Sequence, residues 1–390
     1  MSDTGERSAG TGQGVAPAAR AASVRRVLTL LRRDGPLPKA ELARRTGLSA
    51  QAVSVIVRGL EDEGLIVRGD PMRGRIGQPS VPMRLNPDGA LFLGLKIGRR
   101  SAEMALVDFL GRVRARRFRV HAYPEPDAMR DFSLEAMEEL VAPLANEARA
   151  RVAGLGIAMP FRLWEWVAAL GLAPGTMDAW RERDIRADLA ARCEVPVYLQ
   201  NDATAACGAE MIFGDAPVPS DFLYIYVGFF VGGGVVQGGV LQTGATGSAA
   251  QMGPMPVPGA AGRQLVDVAS LAGLEARLGH GGAEAGVLWR CPEGWQLPPA
   301  ILADWRAEAA AGLAHAIVSA ATVVEIAEVR IDGWMPRALA TELVDETRAA
   351  IGRLNTAGIA PLRLSVGSVG ADARVLGAAA LPLAAGFMGP

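Results

Sequence analysis

The chain has 390 residues, half of them hydrophobic and 21% charged, with 47 Gly and 25 Pro. This length and apolar content exclude a wholly disordered chain and exceed what one hydrophobic core ordinarily serves, so two or three units are expected. The net charge of −1 hides an asymmetry, because residues 1–90 hold 14 Lys and Arg against 9 Asp and Glu while the rest hold 26 against 32. A basic head on an acidic body is the pattern of a nucleic-acid reader attached to something else.

Residues 1–19 are rich in Gly, Ala and Ser and read as a flexible tail, with no secretory signal pattern. A cytoplasmic location is expected. From Ser23, the segment SVRRVLTLLRRDG places Val24, Val27, Leu28, Leu30 and Leu31 at helical spacing, and Gly35 stops the helix. A second helix follows in PLPKAELARRTG, with Pro38 expected in its first turn, Leu42 and Ala43 facing inward and Gly47 closing it. Ser49 is placed to cap a third helix whose buried stripe is Val53, Ile56, Val57 and Leu60. This succession is a helix-turn-helix.

The stripe leaves Ala50, Gln51, Ser54, Val55 and Arg58 on the outward face, where they can enter a major groove. Gln51 can pair with adenine, Ser54 can bond to a base or phosphate, and Arg58 suits a phosphate near the helix end. Two short strands then flank a tip carrying Arg73, Arg75 and Gln78, which reads as a wing over a minor groove. The expected DNA contacts are therefore Ser49, Gln51, Ser54, Arg58, Arg73, Arg75 and Gln78. Three-helix units also serve as plain dimerisation modules, and that reading stands beside the DNA-binding one.

Beyond Gly89, LFLGLKIGRRSAEMALVDFLG gives two apolar strands joined by a Gly/Arg turn, with a third strand after Gly111. VAGLGIAMP is a buried strand, VPVYLQNDATAACGAEMIFG a strand running into a helix, and FLYIYVGFFVGGG a strand entering a glycine-rich turn. The stretch Phe222–Leu241 is apolar enough to raise the question of a membrane span. Its clustered glycines and β-branched residues favour a buried hairpin. The apolar segment LAHAIVSAATVVEIAEV and the Ala/Gly-rich end after Asp372 are expected as buried helices. Cys193, Cys207 and Cys291 show no CxxC spacing, which leaves disulfides and zinc knuckles without support.

This order of segments resembles the ROK family, which joins bacterial sugar kinases to sugar-responsive repressors with an N-terminal winged helix. The matching pieces are ELARRTGLSAQAVSVIVRGLEDEGLI, GLGIAMP, NDATAACGAE, GGGVVQGGVLQTGATGSAAQMGPMPV and GADARVLGAAAL, spread over residues 20–385. The resemblance implies an α/β chain with a winged helix-turn-helix at 20–86. It implies an actin-like ATPase (ribonuclease H-like) two-lobed domain at 87–390, and a homodimer or homotetramer.

In the family's kinases an acid in the Asn-Asp pair acts as general base on a sugar hydroxyl, and glycine loops hold ATP with magnesium. Asn201 and Asp202 match that pair. The nucleotide side departs: Lys96, Arg99 and Arg100 stand in the first phosphate loop, and Phe229 and Phe230 replace a Thr and a Gly of the second. Aromatic rings there are expected to fill the volume of an incoming phosphate, although simple strand packing explains them as well. Arg99 and Arg100 can still attract an anion, so a phosphate-bearing ligand remains open.

The family's sugar-binding Glu and His correspond to Gln251 and Pro254, a third contact falls at about Val266, and the zinc cysteines are absent. No metal and no cofactor are therefore expected. The surviving ligand set is Asn201, Asp202 and Gln251, with Asp202 a vestigial base. Asp202 can equally cap the helix that follows it. Trp164 and Trp166 in PFRLWEW stack on a sugar, plug the pocket or pack in an interface, the packing readings being favoured.

The expectation is a DNA-binding regulator, a repressor of sugar-responsive type, that reads a double-stranded operator and takes a small sugar or derivative as inducer. Its kinase-like domain would sense and oligomerise, without catalysis and without a membrane. An active ATP-dependent sugar kinase and a ligand-independent regulator are the alternatives.

Overall fold

The structure, a computed structural model, describes residues 21–71, 81–215, 218–279 and 286–389. In the head, α1 (Ala22–Arg33) leads to β1 (Leu37–Pro38), α2 (Lys39–Thr46), α3 (Ala50–Asp62), β2 (Ile66–Arg68) and β3 (Pro82–Leu85). Val27, Leu28, Leu42, Val53, Val57 and Leu60 are all fully or almost fully buried and hold the three helices together. Gly47 closes α2 at φ 72°, a left-handed conformation that costs a residue without Cβ least.

One detail differs from the expected pattern. Pro38 precedes α2 in an extended conformation, ψ 154°, and pairs with Pro82 across β1 and β3 rather than entering the first helical turn. A residue without an N–H suits such an edge strand. The resulting three strands, in order β1-β3-β2, form the antiparallel sheet of a winged helix. The tip bearing Arg73, Arg75 and Gln78 lies outside the described residues.

The body contains two five-stranded sheets. The first takes β4 (Leu91–Ile97), β5 (Ser101–Asp108), β6 (Val113–Val120), β7 (Val152–Met159) and β8 (Val197–Asn201) in order β6-β5-β4-β7-β8. Between them lie α4 (Pro126–Val141), α5 (Asn146–Arg149) and α6 (Ile185–Ala190), and α7 (Asp202–Phe213) follows. The second takes β9 (Phe222–Val227), β10 (Val231–Gln237), β11 (Val240–Gln242), β12 (Glu328–Gly333) and β13 (Arg363–Val366) in order β11-β10-β9-β12-β13. Both sheets repeat one topology, an antiparallel meander on one side of the first strand and two parallel crossovers on the other. This is the two-lobed actin-like arrangement.

The second lobe also carries α8 (Leu265–Ala269), α9 (Leu271–Arg277), α10 (Pro299–Ala321) and α11 (Arg337–Ile351). The α10 helix begins well before the apolar segment read as helical and stops at Ala321. Glu328 and Val329 belong to β12, because the β-branched run Thr322–Val324 ends the helix and the chain must turn into the sheet. The chain finishes in α12 (Ala373–Phe387), which packs against β4 and β7. That approach is close enough that a Cβ at Gly94 or Gly156 would overlap the carbonyls of Val375 and Ala378.

Helix α12 runs on to the head. Arg25 of α1 donates to the Ala384 carbonyl at 3.0 Å, and Gly389 donates to the Thr29 hydroxyl at 3.0 Å. Arg32, half-buried, lies over the rings of Phe109 and Phe213, at 5.2 and 5.5 Å, and desolvation pulls its pKa down to about 10. No helix of the described residues is long and apolar enough to cross a membrane, and Phe222–Leu241 forms strands β9 and β10.

Candidate ligand cleft and DNA-reading head

In the head, the Ser49 hydroxyl accepts from the Ala52 amide at 3.1 Å and caps α3, so its side chain is occupied by the helix itself. Gln51, Val55 and Arg58 are exposed along one face. Ser54 donates to the Ala50 carbonyl at 2.8 Å, which commits its proton but leaves its lone pairs. The helix thus presents a Gln, an Arg and a large apolar Val, 66% exposed, to whatever docks there.

In the body, one cleft of about 270 Å³ gathers residues that lie far apart in sequence. Asn201, Asp202, Gln251, Pro254, Val266, Trp166, Phe230 and Arg99 all line it. The sheet explains their meeting: β8 ends at Asn201 beside the β9–β10 turn of the other lobe, and the loop after β11 folds over both. Two residues on this rim, Arg162 at φ 53° and Ala250 at φ 55°, are non-glycine residues in the left-handed region. Such strain, about 1–2 kcal/mol each, persists where the surrounding structure holds a site in shape.

The Asn-Asp pair divides its tasks differently from the capping alternative for Asp202. Asn201 is the cap: its side-chain oxygen accepts from the amides of Ala203 at 3.1 Å and Thr204 at 3.3 Å. Its amide group is left to face the cleft. Asp202 is the first residue of α7, where the helix dipole favours a carboxylate, and Arg374 of α12 reaches it at 3.4 Å. Gln251 is exposed on the cleft wall.

Around the β4–β5 turn, three cations reach across to rings of the second lobe. Lys96 lies 5.3 Å from Trp334, Arg99 stacks over Phe230 at 4.3 Å, and Arg100 lies over Phe229 at 5.1 Å. Phe229 packs on Trp289 at 5.5 Å and Phe230 on Trp166 at 4.9 Å. The two Phe readings from the sequence therefore describe different residues, since Phe229 is buried in packing while Phe230 also faces the cleft. Arg100 is tied down by Glu275 at 2.9 Å and by the Ala122 carbonyl at 2.7 Å. Lys96 bonds to the Ser101 hydroxyl at 2.5 Å, and burial, with help from Arg374, pulls its pKa down to about 7.

Trp166 lines the cleft, whereas Trp164 packs beneath Arg181 at 5.2 Å. Sequence reading missed Arg374 and Tyr226, which lies 4.9 Å under that arginine and also lines the cleft. The signal for Arg374 was available as the only charged side chain in the otherwise apolar α12. Among the described residues no group of three or more His, Cys, Asp or Glu is placed to hold a metal ion.

A winged helix on a duplicated actin-like body defines the class of this molecule, and sequence comparison places it. Residues 92–288 match the ROK family and residues 22–76 match the MarR family. The chain belongs to the ROK family. An uncharacterized protein, y4fQ, of Sinorhizobium fredii is 25% identical over 368 residues, 93% of this chain and 91% of that protein. The xylose repressor of Bacillus subtilis is 23% identical over 225 residues, so the chain spans 58% of that repressor's length and matches it over 58% of its own. A solved ROK family transcriptional regulator, a homolog of the Escherichia coli MLC protein, shares the fold with a TM-score of 0.65 at 20% identity. The match covers 94% of this chain and 96% of that one.

Proposed function

We propose that this chain is a DNA-binding transcriptional regulator, a repressor whose kinase-like body senses a small sugar-type ligand and transmits its presence to the winged helix. The observation that carries this reading is the course of α12. At one end Arg374 touches Asp202 in the cleft, and at the other Ala384 and Gly389 grip α1 of the head. A ligand that displaces Arg374 from Asp202 shifts α12, whose far end holds the head, and so changes the separation of two heads in a homodimer or homotetramer.

Sensing without phosphoryl transfer is supported by the filling of the β9–β10 turn. Phosphoryl transfer needs cradled phosphates, bound metal and an aligned base together, and here Phe229, Phe230 and their arginine partners occupy the turn. Recovery of an enriched duplex from a random DNA library by the full-length protein tests the regulatory reading, and absence of enrichment sinks it. ADP release above background with a sugar panel, ATP and magnesium would instead make the body an enzyme.

A further inference from the structure

Among the described residues, the cleft floor holds a cation with no hydrogen-bond or ion-pair partner of its own, although Asp202 favours its charge through space. Asp202 and Glu165 are the acids among the lining residues, and each already has a partner: Arg374 for Asp202 at 3.4 Å, Arg162 for Glu165 at 3.7 Å. Glu103, behind Lys96, is shared with Arg116 at 3.1 Å. Arg99 is buried, lines the cleft and, among the described residues, makes no hydrogen bond or ion pair, and its Nε is enclosed without an acceptor. Its stack on Phe230 satisfies the face of the guanidinium and none of its donors.

Arg100, one residue on, shows the contrast. Glu275 of α9 provides it with a carboxylate at 2.9 Å and Ala122, just after β6, with a carbonyl at 2.7 Å. Buried guanidinium groups are ordinarily paired, because the desolvated charge is otherwise destabilising. An arginine left open toward a cavity is a receptor for an anion, and its planar fork fits a carboxylate or phosphate.

We propose that the cleft takes a small polyhydroxylated ligand bearing one anionic group, a phosphate or a carboxylate, which Arg99 receives. This rests on the sensing reading above and narrows its ligand class. The Asn201 amide, the Ser248 hydroxyl and Gln251, all lining the cleft, meet the ligand's hydroxyls, and Trp166 offers a ring to its apolar face. A cleft of about 270 Å³ admits a monosaccharide derivative.

The test is titration of the full-length protein with matched sets, followed by thermal shift and calorimetry. Each set holds a neutral hexose or pentose, its terminal phosphate ester and its aldonate, with inorganic phosphate as the anion alone. One anionic member is expected to bind roughly tenfold or more tightly than its neutral parent, and whether the ester or the aldonate does so identifies the source. R99Q is expected to lose that preference while melting no lower than the wild type, because it removes an unpaired buried charge. If R99Q does not fold, the wild-type comparison still decides.

Equal affinity for neutral and anionic members, a response to inorganic phosphate matching the best ligand, no binding by any anionic member, or an R99Q that keeps the preference each overturns the proposal. DNA selection by the head with no anionic preference leaves the regulator reading intact and removes this one. Anionic binding without DNA selection does the reverse.

Discussion

The Gly389 amide donates to the Thr29 hydroxyl at 3.0 Å, joining residues 360 positions apart. The same hydroxyl donates to the Arg25 carbonyl at 2.9 Å, so it serves as both donor and acceptor at the seam between head and body. T29A is expected to cost about 1 kcal/mol of stability, the net worth of a hydrogen bond. Its larger effect is expected in coupling: DNA affinity should become less responsive to ligand, and ligand affinity less responsive to DNA by the same factor. A variant whose ligand response equals the wild type would show that the seam does not transmit.

Gly156 of β7 lies where the Ala378 carbonyl of α12 comes closest, and G156A must push that helix off the sheet. Overpacking of this kind costs about 1–3 kcal/mol or more. Denaturant midpoints should fall accordingly. An unchanged midpoint would show that α12 is free to move outward.

For the recognition face, Q51A should weaken binding to a selected duplex by about 1–3 kcal/mol and relax preference at one base pair. R58A should weaken all duplexes alike. Arg73 and Arg75, expected from the sequence as wing contacts, belong with Arg58 in this respect, and changing each to Ala should reduce the slope of log affinity against log salt by about 1. R73A/R75A affinity equal to that of the wild type at every salt concentration would remove the wing from the interface.

Lys96 gives a pH signature. Its folded pKa, pulled down to about 7 from the ordinary 10.5, means that the folded state binds fewer protons than the unfolded state between those values. Its contribution to stability is therefore least favourable below pH 7 and improves as pH rises toward 10.5. K96M lacks this term, so the melting difference, K96M minus wild type, should be most positive near pH 7 and shrink toward pH 10. A difference that grows with pH contradicts the burial of a charged amine there.

Local patterns determined the head almost completely: helical spacing of Val27, Leu28, Leu42, Val53 and Leu60, the Ser49 cap and the Gly47 stop are short-range effects, written in neighbouring residues. The order of strands and the meeting of Asn201, Asp202 and Gln251 were legible through a resemblance covering most of the chain. Only the tertiary structure decided which buried cation is paired. Arg99 and Arg100 are adjacent and chemically identical, yet Arg100 finds Glu275, 175 positions away, while Arg99 faces the cleft. It also decided that Arg374 and Gly389 carry the cleft to the head, because pairing over such distances depends on how whole helices pack, and no local spacing encodes that.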